Sequence, residues 1–233
     1  MDGVWRAMAG LVLPRGCAGC DAPDEVLCPD CLRLFSHVLP CPMPDAGFGV
    51  YACARYEGAV RSAVLSWKDH GDEECDALFA DRLCALFDAS LAGMLPKDRP
   101  LMVVPAPSSP RSARARGRRH MRPMARAVAR HARACGYEAW CVEALRAAGP
   151  GKSVQARGAT DRAARMGGGR VSLVDDGRVR GLLRGARVLM VDDIVTTGAT
   201  MRACMAAFGA AGEGETAGAL ALAVTPRYGI SAG

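Results

Sequence analysis

Thirteen residues near the C-terminal end hold the densest chemistry in the chain: Val188-Leu-Met-Val-Asp192-Asp193-Ile-Val-Thr196-Thr197-Gly198-Ala199-Thr200. The apolar run predicts a buried strand over Arg187–Val191, and two carboxylates follow at its exposed C-terminal edge, where open α/β sheets place ligands. A loop of hydroxyls and glycine then runs directly into a helix. Backbone N–H groups at such a helix start, with Thr hydroxyls beside them, cradle a phosphate. Adjacent carboxylates accept hydrogen bonds from a diol and hold Mg²⁺ through water. A strand-to-helix turn with an Asx-type cap accounts for one Asp and one Thr, but not for two acids, three Thr and a Gly in this order. Neither the P-loop pattern nor Gly-x-Gly-x-x-Gly is present, which disfavours a nucleoside triphosphatase or a dinucleotide enzyme.

A second constellation lies at the other end. Cys17-x₂-Cys20-x₇-Cys28-x₂-Cys31 is two Cys-x₂-Cys knuckles joined by a short loop. Each knuckle points two thiolates at one centre, and four thiolates complete a closed tetrahedral Zn²⁺ site. Four cysteines also suit an iron–sulfur cluster, or remain free thiols. Gly16, Gly19 and Pro29 supply the tight turns. A closed site has no position for substrate, so the expected role is structural. The chain has 11 cysteines; an odd number argues against a disulfide framework. Cys41 and Cys53 lack a knuckle partner, and Cys75, Cys84, Cys135, Cys141 and Cys204 read as small buried hydrophobes. His37 reads as a surface residue.

Elements must position these groups. The chain has 233 residues, 50% of them hydrophobic and 23% charged, which is globular composition. No apolar run reaches the ~20 residues of a membrane span. Val4–Leu13 is brief, carries Arg6 and lacks a cleavage site, so no signal peptide is expected and the chain reads as cytoplasmic. The expected organisation is an arm, zinc knuckle and Pro/Gly-bearing linker over 1–49, then one domain over 50–233. Strands are expected at Tyr51–Tyr56, Leu101–Val104, Ala139–Val142 and Ala217–Val224. Helices are expected at Gly58–Lys68, Glu73–Leu91, Met121–Cys135 and Met201–Gly209. Gly149–Gly169 reads as a loop with a short helix at Gln155–Arg165, and Val171–Leu183 as a turn-bounded strand. Strands alternating with helices predict an α/β fold with a mostly parallel sheet flanked by helices.

The acid-and-Thr stretch resembles the signature that binds 5-phosphoribosyl-1-pyrophosphate in type I phosphoribosyltransferases. That resemblance implies that Asp192 and Asp193 hold the ribose hydroxyls and that Thr196, Thr197, Gly198, Ala199 and Thr200 wrap the 5-phosphate. It also implies Mg²⁺ on the departing pyrophosphate. Together with the four-Cys knuckle, the chain resembles the ComF family, phosphoribosyltransferase-like proteins linked to DNA uptake in competent bacteria. Further likeness lies in Tyr56-Glu-Gly58, in Trp67-Lys68-Asp-His-Gly71 and in Val103-Val-Pro105-Ala-Pro107, and Gln155 and Arg165 fall where that family shows Gln and Arg. Arg116-Gly117 matches the start of its Arg-Gly-Phe-Asn-Gln block, but Arg118, Arg119 and His120 depart from the rest. Asp69 replaces a Tyr, and Gly168 an Asn. Lys68 and Arg116 are the candidates for pyrophosphate contacts.

Charge adds one more feature. Net charge is +6, and the stretch Arg111–Arg133 contains nine Arg with no acid between Arg99 and Tyr137. Such a segment closes over pyrophosphate in an enzyme, tracks a phosphate backbone in a nucleic-acid binder, or is a solvated basic face. Two functions follow: a Mg²⁺-dependent phosphoribosyltransferase with an unidentified acceptor, or a non-catalytic phosphoribosyl sensor that engages single-stranded DNA, a helicase or other competence-machinery proteins. Two consecutive Arg where the family shows neutral residues tilt this segment toward nucleic acid.

Overall fold

The computed structural model describes residues 16–43, 46–147 and 171–226. The expected loop and short helix at Gly149–Gly169, with Gln155 and Arg165, lie outside the described residues, as does the arm before Gly16.

The strands are β1 (Leu39–Pro40), β2 (Val50–Arg55), β3 (Leu101–Pro105), β4 (Ala139–Cys141), β5 (Leu145–Ala147), β6 (Val171–Leu173), β7 (Arg187–Val195) and β8 (Glu215–Val224). The helices are α1 (Pro29–Arg33), α2 (Gly58–Asp69), α3 (Cys75–Phe87), α4 (Pro110–Arg116), α5 (Met121–Ala134), α6 (Gly177–Leu183) and α7 (Ala199–Ala211). Six strands form one sheet in the order β1-β2-β8-β7-β3-β4, in which only the edge strand β1 runs antiparallel. The remaining pair, β5 and β6, makes a separate antiparallel ribbon.

Sequence period explains the layers. Along β7, Leu189 and Val191 enter the core with α2, α3 and α5, while Val188 and Met190 enter the core with α6 and α7. Side chains of a strand alternate between faces, so each layer of helices meets every second residue. β8 follows the same rule, with Leu220 and Leu222 on the first side and Ala219 and Ala221 on the second. Both strands are apolar on both faces because helices cover both.

The order of strands creates the crevice. From β3 the chain passes through α5 to β4 on one side, and from β7 through α7 to β8 on the other. Where neighbouring strands send their crossovers in opposite directions, a cleft opens beyond their C-terminal ends. That place is the β3/β7 boundary.

Some elements differ from the sequence reading, each for a local reason. α4 occupies what reads as a Ser/Pro loop: the Ser109 hydroxyl accepts from the Ser112 N–H at 3.1 Å and Pro110 stands in the first turn. Val171–Leu183 is not one strand but β6 followed by α6, which Asp176 caps by accepting from the Arg178 N–H at 2.8 Å. The helix over 73–91 ends as α-helix at Phe87 and continues as a π-helical turn over Asp88–Ala92. Part of the expected linker is strand, since Leu39 and Pro40 pair with Ala52 and Tyr51.

Candidate functional site

β7 runs on to Val195, four residues past its expected end, so Asp192 and Asp193 are interior to the strand and not at an exposed edge as the sequence suggests. Both are buried, each 7% exposed. Adjacent strand residues face opposite ways. Asp193 falls on the α2/α5 side and Asp192 on the α7 side, where burial, with Asp192 nearby as a lesser cause, pushes the Cys204 thiol up.

This geometry gives two identical side chains different chemistry. Asp193 Oδ2 lies 2.5 Å from Lys68 Nζ at the end of α2 and 2.8 Å from His120 Nε2 at the start of α5. Burial works to raise its pKa, but the His120 hydrogen bond and the Lys68 charge outweigh it and hold Asp193 well below the usual carboxylate range. Asp192 instead turns to the backbone, where its Oδ1 accepts from the Asp193 N–H at 2.8 Å. Burial, then the neighbouring Asp193 charge, push it up to about 8.

His120 is a site residue that the sequence reading passes over as a mere departure. Its Nδ1 lies 3.5 Å from Arg116 NH1. A guanidinium only donates, so Nδ1 accepts and the Nε2 proton is directed at Asp193. Arg116 is itself held by Asp69, with Nε donating to Oδ1 at 2.9 Å. Behind the imidazole stands the buried Trp67 ring, edge-on at 5.1 Å between centroids. The Trp67 indole N–H donates to Asp76, which also accepts both terminal N–H groups of Arg118 at 3.0 and 2.8 Å. Asp69 is thus the counter-charge of Arg116, while Arg118 braces Asp76 and the Trp67 ring behind His120. The partner of His120 is 73 residues away in sequence; local spacing carries no signal for it.

The Thr/Gly loop closes the crevice beyond β7. Gly198 caps α7 with φ +69°, a left-handed conformation that favours glycine. The Ala199 N–H donates to Thr197 Oγ1 at 3.3 Å, Thr225 Oγ1 donates to the Thr196 carbonyl at 3.1 Å, and the Arg202 guanidinium donates to the Thr197 carbonyl. Arg202 and Thr225 therefore pin the loop, a role no motif announces.

Lys68, Arg116, His120, Asp192, Asp193, Thr196 and Thr200 line one cavity of about 280 Å³, with Ser108, Ser109 and Ser112 opposite. Thr197, Gly198 and Ala199 stand in the loop behind this lining. Lys68 and Arg116 are both present, but Lys68 is spent on Asp193 and Arg116 on Asp69. A neighbouring cavity of about 490 Å³ shares Ala106, Pro107, Ser108 and Met121 and extends to Arg119, Glu143 and the β5/β6 ribbon.

The Arg-rich segment is two helices, and its charge is partly compensated. Arg116 pairs with Asp69, Arg118 with Asp76 and Glu73, and Arg119 and Arg122 both with Glu143. Arg111, Arg114, Arg126 and Arg130 are exposed. The acids that answer the segment come from other parts of the chain, so counting acids within the segment overstates its field.

Cys17, Cys20, Cys28 and Cys31 form the second site. Their sulfurs all lie within 4.8 Å of one another, and Cys20 Sγ is 3.6 Å from Cys28 Sγ. Four Zn–S bonds of about 2.3 Å at tetrahedral angles give S···S edges of about 3.8 Å, so these cysteines can hold one zinc ion. The Gly19 and Cys28 N–H groups point at Cys17 Sγ at 3.4 and 3.2 Å, an arrangement that favours thiolate. A Cβ at Gly19 would come within 2.8 Å of Cys31 Sγ, so the turn needs glycine for close approach. The knuckle is rooted in the core, where the Phe35 ring lies tilted against Phe79 with centroids 5.0 Å apart. Cys41 and Cys53 are buried, and burial pushes both thiols up to about 12. No helix among the described residues is long and apolar enough to cross a membrane.

No protein-family model and no curated protein matches this chain.

Proposed function

We propose that the chain binds 5-phosphoribosyl-1-pyrophosphate, with Mg²⁺, in the β3/β7 crevice and transfers the phosphoribosyl group to an acceptor seated in the adjoining cavity. One observation carries this reading: two buried carboxylates and a Thr/Gly helix start converge on one cavity at the switch point of a parallel sheet. The loop N–H groups and the Thr196 and Thr200 hydroxyls suit a terminal phosphate. Asp192 and Asp193 suit the ribose diol, and Asp193 also offers negative charge beside a ring carbon that becomes positive. In the transfer the bond from C1 to pyrophosphate breaks, a bond from C1 to the acceptor forms, and the acceptor's proton passes to the departing pyrophosphate or to water. Mg²⁺, held by the diphosphate and the nearby carboxylate, would neutralise the leaving group. The bound diphosphate competes with Asp193 for Lys68, so ligand entry exchanges one ion pair for another. The knuckle would hold Zn²⁺ as a structural ion, in keeping with the resemblance to the ComF family.

The second reading, a non-catalytic sensor that binds single-stranded DNA or a competence protein, draws on the exposed Arg111, Arg114, Arg126 and Arg130. The compensated arginines count against a wide basic track.

Calorimetry of the zinc-loaded chain with phosphoribosyl pyrophosphate and Mg²⁺ tests the main reading. Binding is expected in the wild type and should weaken in Asp193→Asn. Equal affinity in both, or none in the wild type, overturns it.

A further inference from the structure

At the far end of α5 a second cluster of ligand-type side chains meets, away from both sites above. His131 and Cys135 stand one helical turn apart near the α5 C-terminus, and Asp88 opens the π-helical turn that follows α3. His131 Nε2 lies 2.8 Å from each Asp88 carboxylate oxygen, while Cys135 Sγ lies 3.7 Å from Asp88 Oδ1 and 3.7 Å from His131 Nε2. From the geometry we infer that Asp88, His131 and Cys135 form a second metal site, taking a zinc-class divalent transition ion with water in the fourth position.

The edge lengths support this. Zn–S of about 2.3 Å with Zn–N and Zn–O near 2.1 Å gives S···N and S···O edges of about 3.6 Å and an N···O edge of about 3.4 Å at tetrahedral angles. Two of the three edges are already at that length, and the third needs His131 and Asp88 to part by about 0.6 Å. A sulfur–nitrogen–oxygen donor set selects Zn²⁺ or Co²⁺ over Mg²⁺ or Ca²⁺. An ordinary surface ion pair between Asp88 and His131 needs no thiol at tetrahedral distance from both partners.

The backbone is shaped for it. A π-helical turn re-aims the side chains that follow a regular helix, and such turns are frequent at functional sites. Here it begins at Asp88. The Tyr137 hydroxyl points at the carbonyls of Ala92 and Leu95, and Lys97 Nζ donates to the Cys135 carbonyl at 2.7 Å. These bonds fix the turn against the end of α5. Asp88 is exposed and His131 and Cys135 half-buried, so an ion has a path in. Asp81, Arg130, Lys97 and the half-buried Cys84 thiol are the other ionisable groups close by. His131 lies eleven residues along α5 from His120, about 16 Å of helix, so the site is separate from the crevice.

The test counts metal in the full-length chain after dialysis against micromolar free zinc. Two ions per chain are expected in the wild type, one in His131→Ala and one in Cys135→Ser, while Cys84→Ser keeps two. Adding Co²⁺ to chain that holds a single zinc should give a sulfur-to-cobalt charge-transfer band of about one thiolate's intensity, lost in Cys135→Ser. A wild type that holds one ion and gives no such band, or His131→Ala and Cys135→Ser variants that still hold two, overturns the inference.

Discussion

The knuckle and the crevice solve opposite electrostatic problems. The knuckle brings four sulfurs within 4.8 Å but aims backbone N–H groups at Cys17 alone, so four thiolates together need a cation from outside. The crevice brings two carboxylates together and answers them from within: Lys68 neutralises one, with a hydrogen bond from His120, and burial keeps a proton on the other. On the proposed reading the first would be completed by its ligand, whereas the second would have to be opened by its ligand. Metal binding at the knuckle would be folding free energy. Ligand binding in the crevice would be an exchange of partners on a fold that already stands.

The sharpest break in that comparison removes the knuckle. Cys28→Ser combined with Cys31→Ser should abolish metal binding at this site and lower the melting temperature of the whole chain, because Cys17, Leu27, Cys31 and Phe35 are part of the main core. A double variant that melts like the wild type would show the knuckle to be an appendage.

Next come the two acids, which should part company. Asp193→Asn removes the partner of Lys68 and His120 and is expected to cost on the order of 3 kcal/mol of stability. Asp192→Asn replaces a carboxyl that must keep a proton to stay buried near neutrality, so the variant should be at least as stable as the wild type at pH 7. Both should bind phosphoribosyl pyrophosphate more weakly, by about 1.5–3 kcal/mol each, for want of a charge-assisted bond to a ribose hydroxyl. Denaturant melts and calorimetry on the same samples separate the two effects.

A finer test uses pH. Asp192 keeps its proton in the folded chain up to about 8 but gives it up near 4 when unfolded, so its contribution falls as pH rises through that window. Asp193, held below its ordinary value, contributes stability that is present above about 4 and lost as pH falls further. The wild type minus Asp192→Asn difference in melting temperature should therefore decline between about pH 5 and 8. Binding of the ligand with Mg²⁺ at pH 7 should release about one proton, read from calorimetry in buffers of different ionisation enthalpy. A flat difference curve would mean that Asp192 is ionised at rest.

The smallest effect concerns the exposed arginines. Arg111→Ser with Arg114→Ser should lower the salt slope of any DNA affinity by about 0.7–0.9 for each phosphate that is no longer neutralised. Unchanged slopes would leave these residues as a solvated face.

The same contrast explains what the sequence reveals and what it hides. The knuckle lies within fifteen residues and its spacing is its geometry, so Cys17 to Cys31 are legible as a set. The parallel sheet is legible too, because helix-covered strands are apolar runs. In the crevice only the Asp192–Thr200 stretch is local. Its partners arrive from α2 and α5, and nothing near His120 in sequence shows that it meets Asp193. The depth of the acids is hidden because polar residues usually end a strand. Here the Lys68 ammonium and the His120 hydrogen bond let β7 continue through them. The arginine segment misleads for a related reason, since Asp69, Asp76 and Glu143 reach it only in the folded chain.

One neighbourhood also gives the crevice an optical voice. The Trp67 indole is fully buried with its ring against His120, whereas Trp140 is 41% exposed. Emission from Trp67 should lie to the blue of Trp140 and respond to any change of charge or position at the imidazole. A ligand that draws Lys68 away from Asp193 alters the field on His120, and the indole behind it registers the event. Stopped-flow fluorescence on the unlabelled chain can then follow crevice occupancy in time, with Trp67→Phe as the silent reference.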